Sequence, residues 1–143
     1  MNDDLKFDEW NTKKKEISKK AKKKNINVGS IYWVNIGQNL GGEVFGKGSN
    51  FKRPVLVLSK IIKYNSIMFL GVPLSSKTKN KSGFHFYHFI DNQNTKQVAL
   101  LGQIRIFDTK RIVSYLSRTS KENLNAIKEQ IAKRILELEY PST

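Results

Sequence analysis

A short basic segment, Lys52-Arg53-Pro54, opens directly into the apolar run from Val55 to Leu58. Proline lacks an N–H donor and fixes φ, so we predict that a strand begins at Pro54 or lies at a sheet edge there. The residue before a proline is held in extended geometry, which places Arg53 at the mouth of that strand. A guanidinium in a cleft at this position would suit a phosphate group. The same local sequence is also compatible with an exposed arginine that only caps the end of a strand.

Two connections carry further side chains that could contact a nucleic-acid backbone. The glycine-rich stretch from Gly37 to Asn50 contains Glu43 and Lys47, which could reach over a groove between two strands. The stretch from Ser75 to Gly83 contains hydroxyls and lysines but no apolar residue. It is either a solvated loop or a phosphate-binding loop, because hydroxyl and ammonium groups at a strand end suit phosphate oxygens.

The segment from Phe84 to Phe89 is aromatic and alternates between the two faces of a predicted strand. Aromatic side chains on an exposed sheet face can stack unpaired bases, whereas buried ones form core, and the sequence leaves both open. His85 is the histidine nearer the lysine-rich loop and is the candidate for an RNA contact.

The segment from Gly41 to Lys47 satisfies the first seven positions of the phosphate-binding P-loop motif. Gly48 stands where the motif needs a hydroxyl for magnesium. A strand follows, whereas the motif needs a helix N-terminus directed at the phosphates. The pattern therefore argues against nucleotide hydrolysis.

The elements that must position these residues are mostly short strands separated by turn residues. This pattern predicts an α+β, mainly β fold: a small, strongly curved antiparallel sheet or partly open barrel with a C-terminal helix and an added N-terminal helix. A short helical turn is expected at residues 109–113. The predicted strands are Ile31–Ile36, Pro54–Leu58, Ser66–Leu74, Phe84–Ile90, and Gln97–Leu101 continuing toward Ile106.

The C-terminal helix is predicted to start at a capping box formed by Thr119 and Glu122 and to end at Pro141. Its apolar residues recur at helical spacing and should cover the sheet. They are Leu124, Ile127, Ile131, Ile135 and Leu138.

Residues 1–28 are predicted to be a lysine-rich helical extension, separate from a domain over residues 29–143. Acidic residues come first and lysines last, which suits a helix dipole. The extension is either a solvated helix docked by Trp10 or a basic arm that guides nucleic acid.

The composition limits the partners. The chain has 143 residues, with 26 Lys and Arg against 12 Asp and Glu, a net charge of +14. Such a charge favours nucleic acid as the partner first, then an anionic membrane or an acidic protein.

The composition also excludes some kinds of chemistry. There is no cysteine and there are two histidines, so we expect no thiol chemistry and no metal centre. No apolar run approaches a membrane span of roughly 18 residues, and we expect a soluble, cytoplasmic protein.

From about Gly29 to Leu138, the chain resembles the MazF/PemK family of toxin endoribonucleases from type II toxin–antitoxin systems. The matching segments occur in the family's order. They are Gly29-Ser-Ile-Tyr-Trp-Val-Asn-Ile-Gly37, Gly42-Glu43, Arg53-Pro-Val-Leu-Val-Leu58, Val72-Pro-Leu-Ser-Ser76, and Gln103-Ile-Arg-Ile-Phe-Asp108 with Arg111.

The resemblance implies a curved antiparallel sheet, usually a homodimer whose groove binds single-stranded RNA, and an acidic antitoxin that blocks the groove. It implies that Arg53 and Ser75 are catalytic, although the family usually has threonine where this chain has Ser75. Gly42 likewise replaces a usual serine. The RNA-contacting residues expected with them are Glu43, Lys47, Lys52, Ser76, Lys77, His85 and Gln103.

RNA can be cleaved without a metal or cofactor when its 2′-OH attacks the adjacent phosphorus. Arg53 is well suited to stabilise the negative charge on the phosphorane. It is a poor candidate for the general base, because a guanidinium hardly deprotonates. Ser75 would align the reacting groups, and proton transfer is left open between His85, Glu43 and solvent. The alternatives are a non-catalytic nucleic-acid-binding module, a CcdB-like gyrase-inhibiting toxin, and membrane binding through the lysine-rich helix.

Overall fold

The computed structural model describes residues 3–20, 25–37, 46 and 51–139. In these residues a seven-stranded antiparallel sheet runs in the order β4-β5-β3-β2-β1-β7, and β6 pairs with β3. The strands are β1 (Ser30–Asn35), β2 (Lys52–Lys63), β3 (Ser66–Ser75), β4 (Phe86–Ile90), β5 (Lys96–Leu100), β6 (Arg105–Asp108) and β7 (Ile112–Arg118). The helices are α1 (Asp3–Ser18) and α2 (Lys121–Gln130), which a π-helical turn, Ile131–Ile135, extends. Short 3-10 turns lie at Leu101–Gln103 and Thr109–Arg111.

The central position of β2 in the sheet explains why the run after Pro54 is apolar without interruption. Leu56 and Leu58 face one core, which α2 covers, while Val55 and Val57 face a second core on the other side of the sheet. A strand buried on both faces loses the polar alternation of a half-exposed strand. A register shift between Val57 and Ser59 adds local curvature to the β2–β3 pair.

The predicted fold class is confirmed: an open, mainly antiparallel sheet with an N-terminal and a C-terminal helix. The expected edge at Pro54 is wrong, because β2 begins at Lys52 and lies between β1 and β3. Pro54 pairs with Trp33 on β1, and pairing with β3 begins only at Val55. The missing donor therefore lies outside the part of β2 that is paired on both sides.

The C-terminal helix differs from its prediction at both ends. Its N-cap is Ser120, whose hydroxyl accepts a hydrogen bond from the Asn123 N–H at 3.1 Å, and Thr119 precedes it with its own N–H bonded to the Gly29 carbonyl. Leu124, Ile127, Ile131 and Ile135 pack on the sheet as predicted. Leu138 does not, since the helix ends at Ile135 and Leu138 is 56% exposed. The helix therefore ends before Pro141, not at it.

Strand β7 was not predicted. The helical turn expected at residues 109–113 is confined to Thr109–Arg111, and the chain then pairs with β1. The middle of β7 is exposed, including Val113 and Tyr115, so an edge strand of this kind lacks the alternation that indicates a buried face.

In the parts of the chain described, no helix has both the length and the apolar character needed to cross a membrane.

Candidate functional site

A cleft of about 470 Å³ opens where several strands end on one side of the sheet. Its walls come from β1, from the first residues of β2, from the end of β3, from the β4–β5 hairpin and from β7. Trp33, Pro54 and Leu116 make part of the wall apolar. Lys52 places its ammonium 5.0 Å from the centre of the Trp33 ring, so a cation lies beside an aromatic face within the cleft.

Arg53 lines this cleft and is 8% exposed. Its Nη1 donates a hydrogen bond of 3.1 Å to the carbonyl oxygen of Leu74, at the end of β3. Burial lowers the pKa of the Arg53 guanidinium from its ordinary value, but arginine remains protonated in proteins. The site therefore holds a desolvated positive charge whose orientation is fixed by the neighbouring strand.

Ser75 follows Leu74 directly and lines the same cleft, with 6% exposure. Its hydroxyl oxygen accepts a hydrogen bond of 3.2 Å from the Lys77 N–H. This local bond ties the hydroxyl to the start of the following loop. Ser76 also lines the cleft, and both Ser76 and Lys77 are exposed. The structure thus brings Arg53, Ser75, Lys52 and Ser76 together, with the Leu74 carbonyl linking the first two.

Asp91, which sequence reasoning missed, is a buried carboxylate in the cleft wall. Its Oδ1 accepts hydrogen bonds from the N–H groups of Gln93 and Thr95, and its Oδ2 accepts one of 2.8 Å from the Ser117 hydroxyl and a longer one from Gln97. Burial by itself raises the pKa of Asp91, but these hydrogen bonds outweigh it and leave the pKa below its ordinary value. The charged carboxylate therefore ties the β4–β5 hairpin to β7 across the cleft.

The sequence carried a partial signal for Asp91. An Asp that begins a polar turn between two strands commonly bonds to backbone N–H groups two residues on. Its bond to Ser117 could not be anticipated, because Ser117 lies on the strand that was not predicted.

His85 and Gln103 lie elsewhere. They line a second pocket of about 480 Å³ together with Phe86, Leu100 and Gly102. His85 is exposed and its ring contacts that of Phe84, at 4.2 Å between centroids. The structure therefore does not bring His85 into the cleft with Arg53, and its contact with RNA stays a prediction. Glu43 and Lys47 lie outside the described residues.

The fold and cleft define a class of protein: a small basic sheet protein with a buried arginine and a serine hydroxyl at the mouth of its central strands. In the described residues no group of three or more metal-ligating side chains is present. Residues 27–135 match the family model of the PemK-like, MazF-like toxins of type II toxin–antitoxin systems. The chain belongs to this toxin family, whose members are known as endoribonucleases.

Solved structures agree with this fold. MazF (Form-I) from Deinococcus radiodurans is 18% identical, with a TM-score of 0.60 over 81% of this chain and 100% of that chain. A mycobacterial endoribonuclease in complex with its cognate antitoxin is 15% identical, with a TM-score of 0.59 over 82% and 100%. MazE–MazF (Form-II) from Deinococcus radiodurans is 17% identical, with a TM-score of 0.54 over 82% and 100%. The comparison with curated protein sequences found no match.

Proposed function

We propose that the protein is a metal-independent, sequence-selective endoribonuclease, the toxin of a type II toxin–antitoxin system, which cleaves single-stranded RNA. The observation that carries this proposal is the meeting of Arg53 and Ser75 in one cleft. The two residues come from different strands, and the Arg53 guanidinium bonds to the carbonyl that immediately precedes Ser75. Family membership supports the same activity.

In the proposed reaction the 2′-oxygen of RNA attacks the adjacent phosphorus and the bond from phosphorus to the 5′-oxygen breaks. The products are a 2′,3′-cyclic phosphate and a 5′-hydroxyl, and the proton lost by the 2′-OH is balanced by one gained at the 5′-oxygen. Arg53 stabilises the charge that builds on the phosphorane oxygens, and its burial strengthens that interaction. Ser75 donates its hydroxyl hydrogen to the phosphate, while its oxygen is held by Lys77 N–H.

The other cleft residues serve binding in this proposal. Lys52 and Ser76 contact the RNA backbone from the cleft, and Lys77 does so from the adjacent loop. The second pocket, with His85 and Gln103, would hold a neighbouring nucleotide of the same strand. Glu43 and Lys47 remain candidates from the sequence.

The proposed partners are single-stranded RNA, a second copy of the chain, and an acidic antitoxin. The net charge of +14 favours both RNA and an acidic polypeptide. Two of the structures with a similar fold were solved with an antitoxin bound. RNA cleavage of this kind would take place in the cytoplasm.

The test is incubation of the purified protein with a long, structureless RNA in EDTA, followed by mapping of the fragment ends. We expect discrete cuts that leave cyclic-phosphate and 5′-hydroxyl ends. RNA that stays intact in the presence of folded, RNA-binding protein would contradict the proposal and favour a non-catalytic binder, for which gyrase inhibition would be measured next.

Ser75→Ala should lower the cleavage rate by about tenfold to a hundredfold, because one hydrogen-bond donor to the reacting phosphate is lost while Arg53 remains. Ser75→Thr keeps the hydroxyl on a side chain with a more restricted χ1 and should retain most of the rate. Single-turnover rates of both variants on one RNA measure this. Equal rates for Ser75→Ala and wild type would remove Ser75 from the reaction.

A further inference from the structure

Helix α1 lies outside the residues that match the toxin family model, yet it packs against Gly37, just beyond the end of β1, and Phe51, just before β2. Its side chains are mostly exposed along its length, and Ile17 is the buried residue among them. An almost wholly polar helix gains little from burial, so its position depends on a few specific contacts. Three of these involve Trp10, which contacts Gly37, Phe51 and Arg111.

Trp10 packs against the two residues that flank the β1–β2 connection. Its ring lies on Gly37, where a Cβ atom would come within 1.8 Å of the Trp10 Cε2. It also contacts the ring of Phe51, with 5.5 Å between centroids. The Phe51 carbonyl in turn accepts a hydrogen bond of 2.8 Å from the Ile36 N–H, so Trp10 packs where the two strands come together.

Phe51 adopts an unfavourable backbone conformation that its surroundings must maintain. Its φ is +49°, in the left-handed region that bulky side chains avoid, and its side chain is 3% exposed. Such a conformation is unfavourable for a bulky side chain and persists only where packing enforces it. Phe51 directly precedes Lys52 and Arg53, so its backbone conformation leads the chain into two residues that line the cleft.

Arg111 and Lys110 complete the docking of α1. The Arg111 guanidinium lies 5.6 Å from the centre of the Trp10 ring and donates a hydrogen bond to the Asn35 carbonyl at the end of β1. The Lys110 ammonium donates a hydrogen bond of 3.4 Å to the carbonyl of Ser18. The turn between β6 and β7 thus holds both Trp10 and the end of α1.

We propose that α1 is a brace for the cleft and that Trp10 is a positioning residue for the reaction. Trp10 packs on both Gly37 and Phe51 and thereby holds in place the backbone that leads into Arg53. This inference rests on the proposed endoribonuclease function. It assigns α1 a role in turnover, distinct from the basic arm for nucleic acid that its lysines suggest.

The experiment compares kcat and KM for RNA cleavage by wild type, Trp10→Ala, Trp10→Phe and Phe7→Ala. Trp10→Ala should lower kcat by about tenfold to a hundredfold, because small misplacements of a catalytic group have effects of this size, with KM changed by less than about threefold. Trp10→Phe should recover most of the rate. Phe7→Ala, an aromatic deletion at a 38% exposed position of the same helix, should match wild type.

A second variant covers the case in which Trp10→Ala does not fold. Gly37→Ala places a methyl group where the Trp10 ring lies and should displace the helix from the opposite side of the same contact. We expect it to reduce kcat similarly, and the double variant to lose no more than the worse single one, because both changes remove one interaction.

The outcomes separate the two proposals. Wild-type kcat in folded Trp10→Ala or Gly37→Ala overturns the brace, and a raised KM with unchanged kcat does so in favour of a basic arm. Wild-type protein that leaves RNA intact overturns the proposed function, and the brace with it. Cleavage by wild type that is lost in Arg53→Ala but unaffected by Trp10→Ala overturns the brace alone.

Discussion

Arg53→Ala is expected to lower the rate of RNA cleavage by about 10²–10³-fold, the usual effect of removing one preorganised donor from a developing negative charge. Arg53 is buried in the cleft wall, and its guanidinium is oriented by the Leu74 carbonyl. Because this orientation exists before substrate binds, the proposed reaction would need little reorganisation of the site. The decrease in rate should affect the chemical step, which is measured as the single-turnover cleavage rate at saturating enzyme.

Arg53→Lys distinguishes the effect of the positive charge from that of the guanidinium geometry. It keeps a positive charge but replaces the planar fork by a single ammonium, so we expect it to recover only part of the rate. Arg134→Ala removes an exposed arginine from the C-terminal helical turn and serves as the matched control, with a rate close to wild type. A folded Arg53→Ala protein that cleaves at nearly the wild-type rate would contradict the assignment.

The sequence predicted those features of the cleft that depend on neighbouring residues, and it did not predict those that depend on distant strands. Arg53 was predicted from its position before Pro54 and from the family resemblance, and Ser75 was predicted from the resemblance alone. The structure places the two in one cleft. Local propensity predicted most strands and both helices. It could not show that β2 is central, because position in a sheet depends on pairing with distant strands.

Two of the errors concern β7 and the N-cap of α2. β7 has an exposed middle and pairs only with β1 in the described residues, so its sequence lacks a clear buried face. Without β7, Ser117 had no predicted location, and its hydrogen bond to Asp91 could not be anticipated. The assignment of Thr119 as N-cap failed for a similar reason, since Thr119 N–H bonds to Gly29, which is far away in sequence. Long-range hydrogen bonds decide these positions.

Asp91→Ala should have the largest effect on stability among the cleft residues, about 2–4 kcal/mol in the free energy of unfolding. The substitution removes the acceptor for Ser117 and Gln97, which are 0% and 3% exposed and would be left with unsatisfied donors. The Gln97 Oε1 has no hydrogen-bond partner among the described residues, so the Gln97 amide depends strongly on Asp91. Urea unfolding at neutral pH measures the loss.

Asp91→Asn separates shape from charge. Asparagine retains one oxygen for the N–H groups of Gln93 and Thr95, and its amide could donate to the Gln97 Oε1 after that side chain rotates. We therefore expect a smaller loss than for alanine, about 1 kcal/mol. Asp8→Asn, at an exposed position of α1, is the matched control and should change the free energy of unfolding by less than about 0.5 kcal/mol.

The pH dependence gives an independent test. The pKa of Asp91 is lower in the folded protein than in the unfolded chain, so its contribution to stability is fully present above the unfolded value of about 3.9. That contribution is lost as the pH falls through the folded pKa, where the native carboxylate becomes protonated. The difference in unfolding free energy between wild type and Asp91→Asn should therefore shrink below about pH 4. A difference that stays constant from neutral to acid pH would show that the carboxylate charge does not tie the hairpin to β7, and that only the shape of the side chain matters.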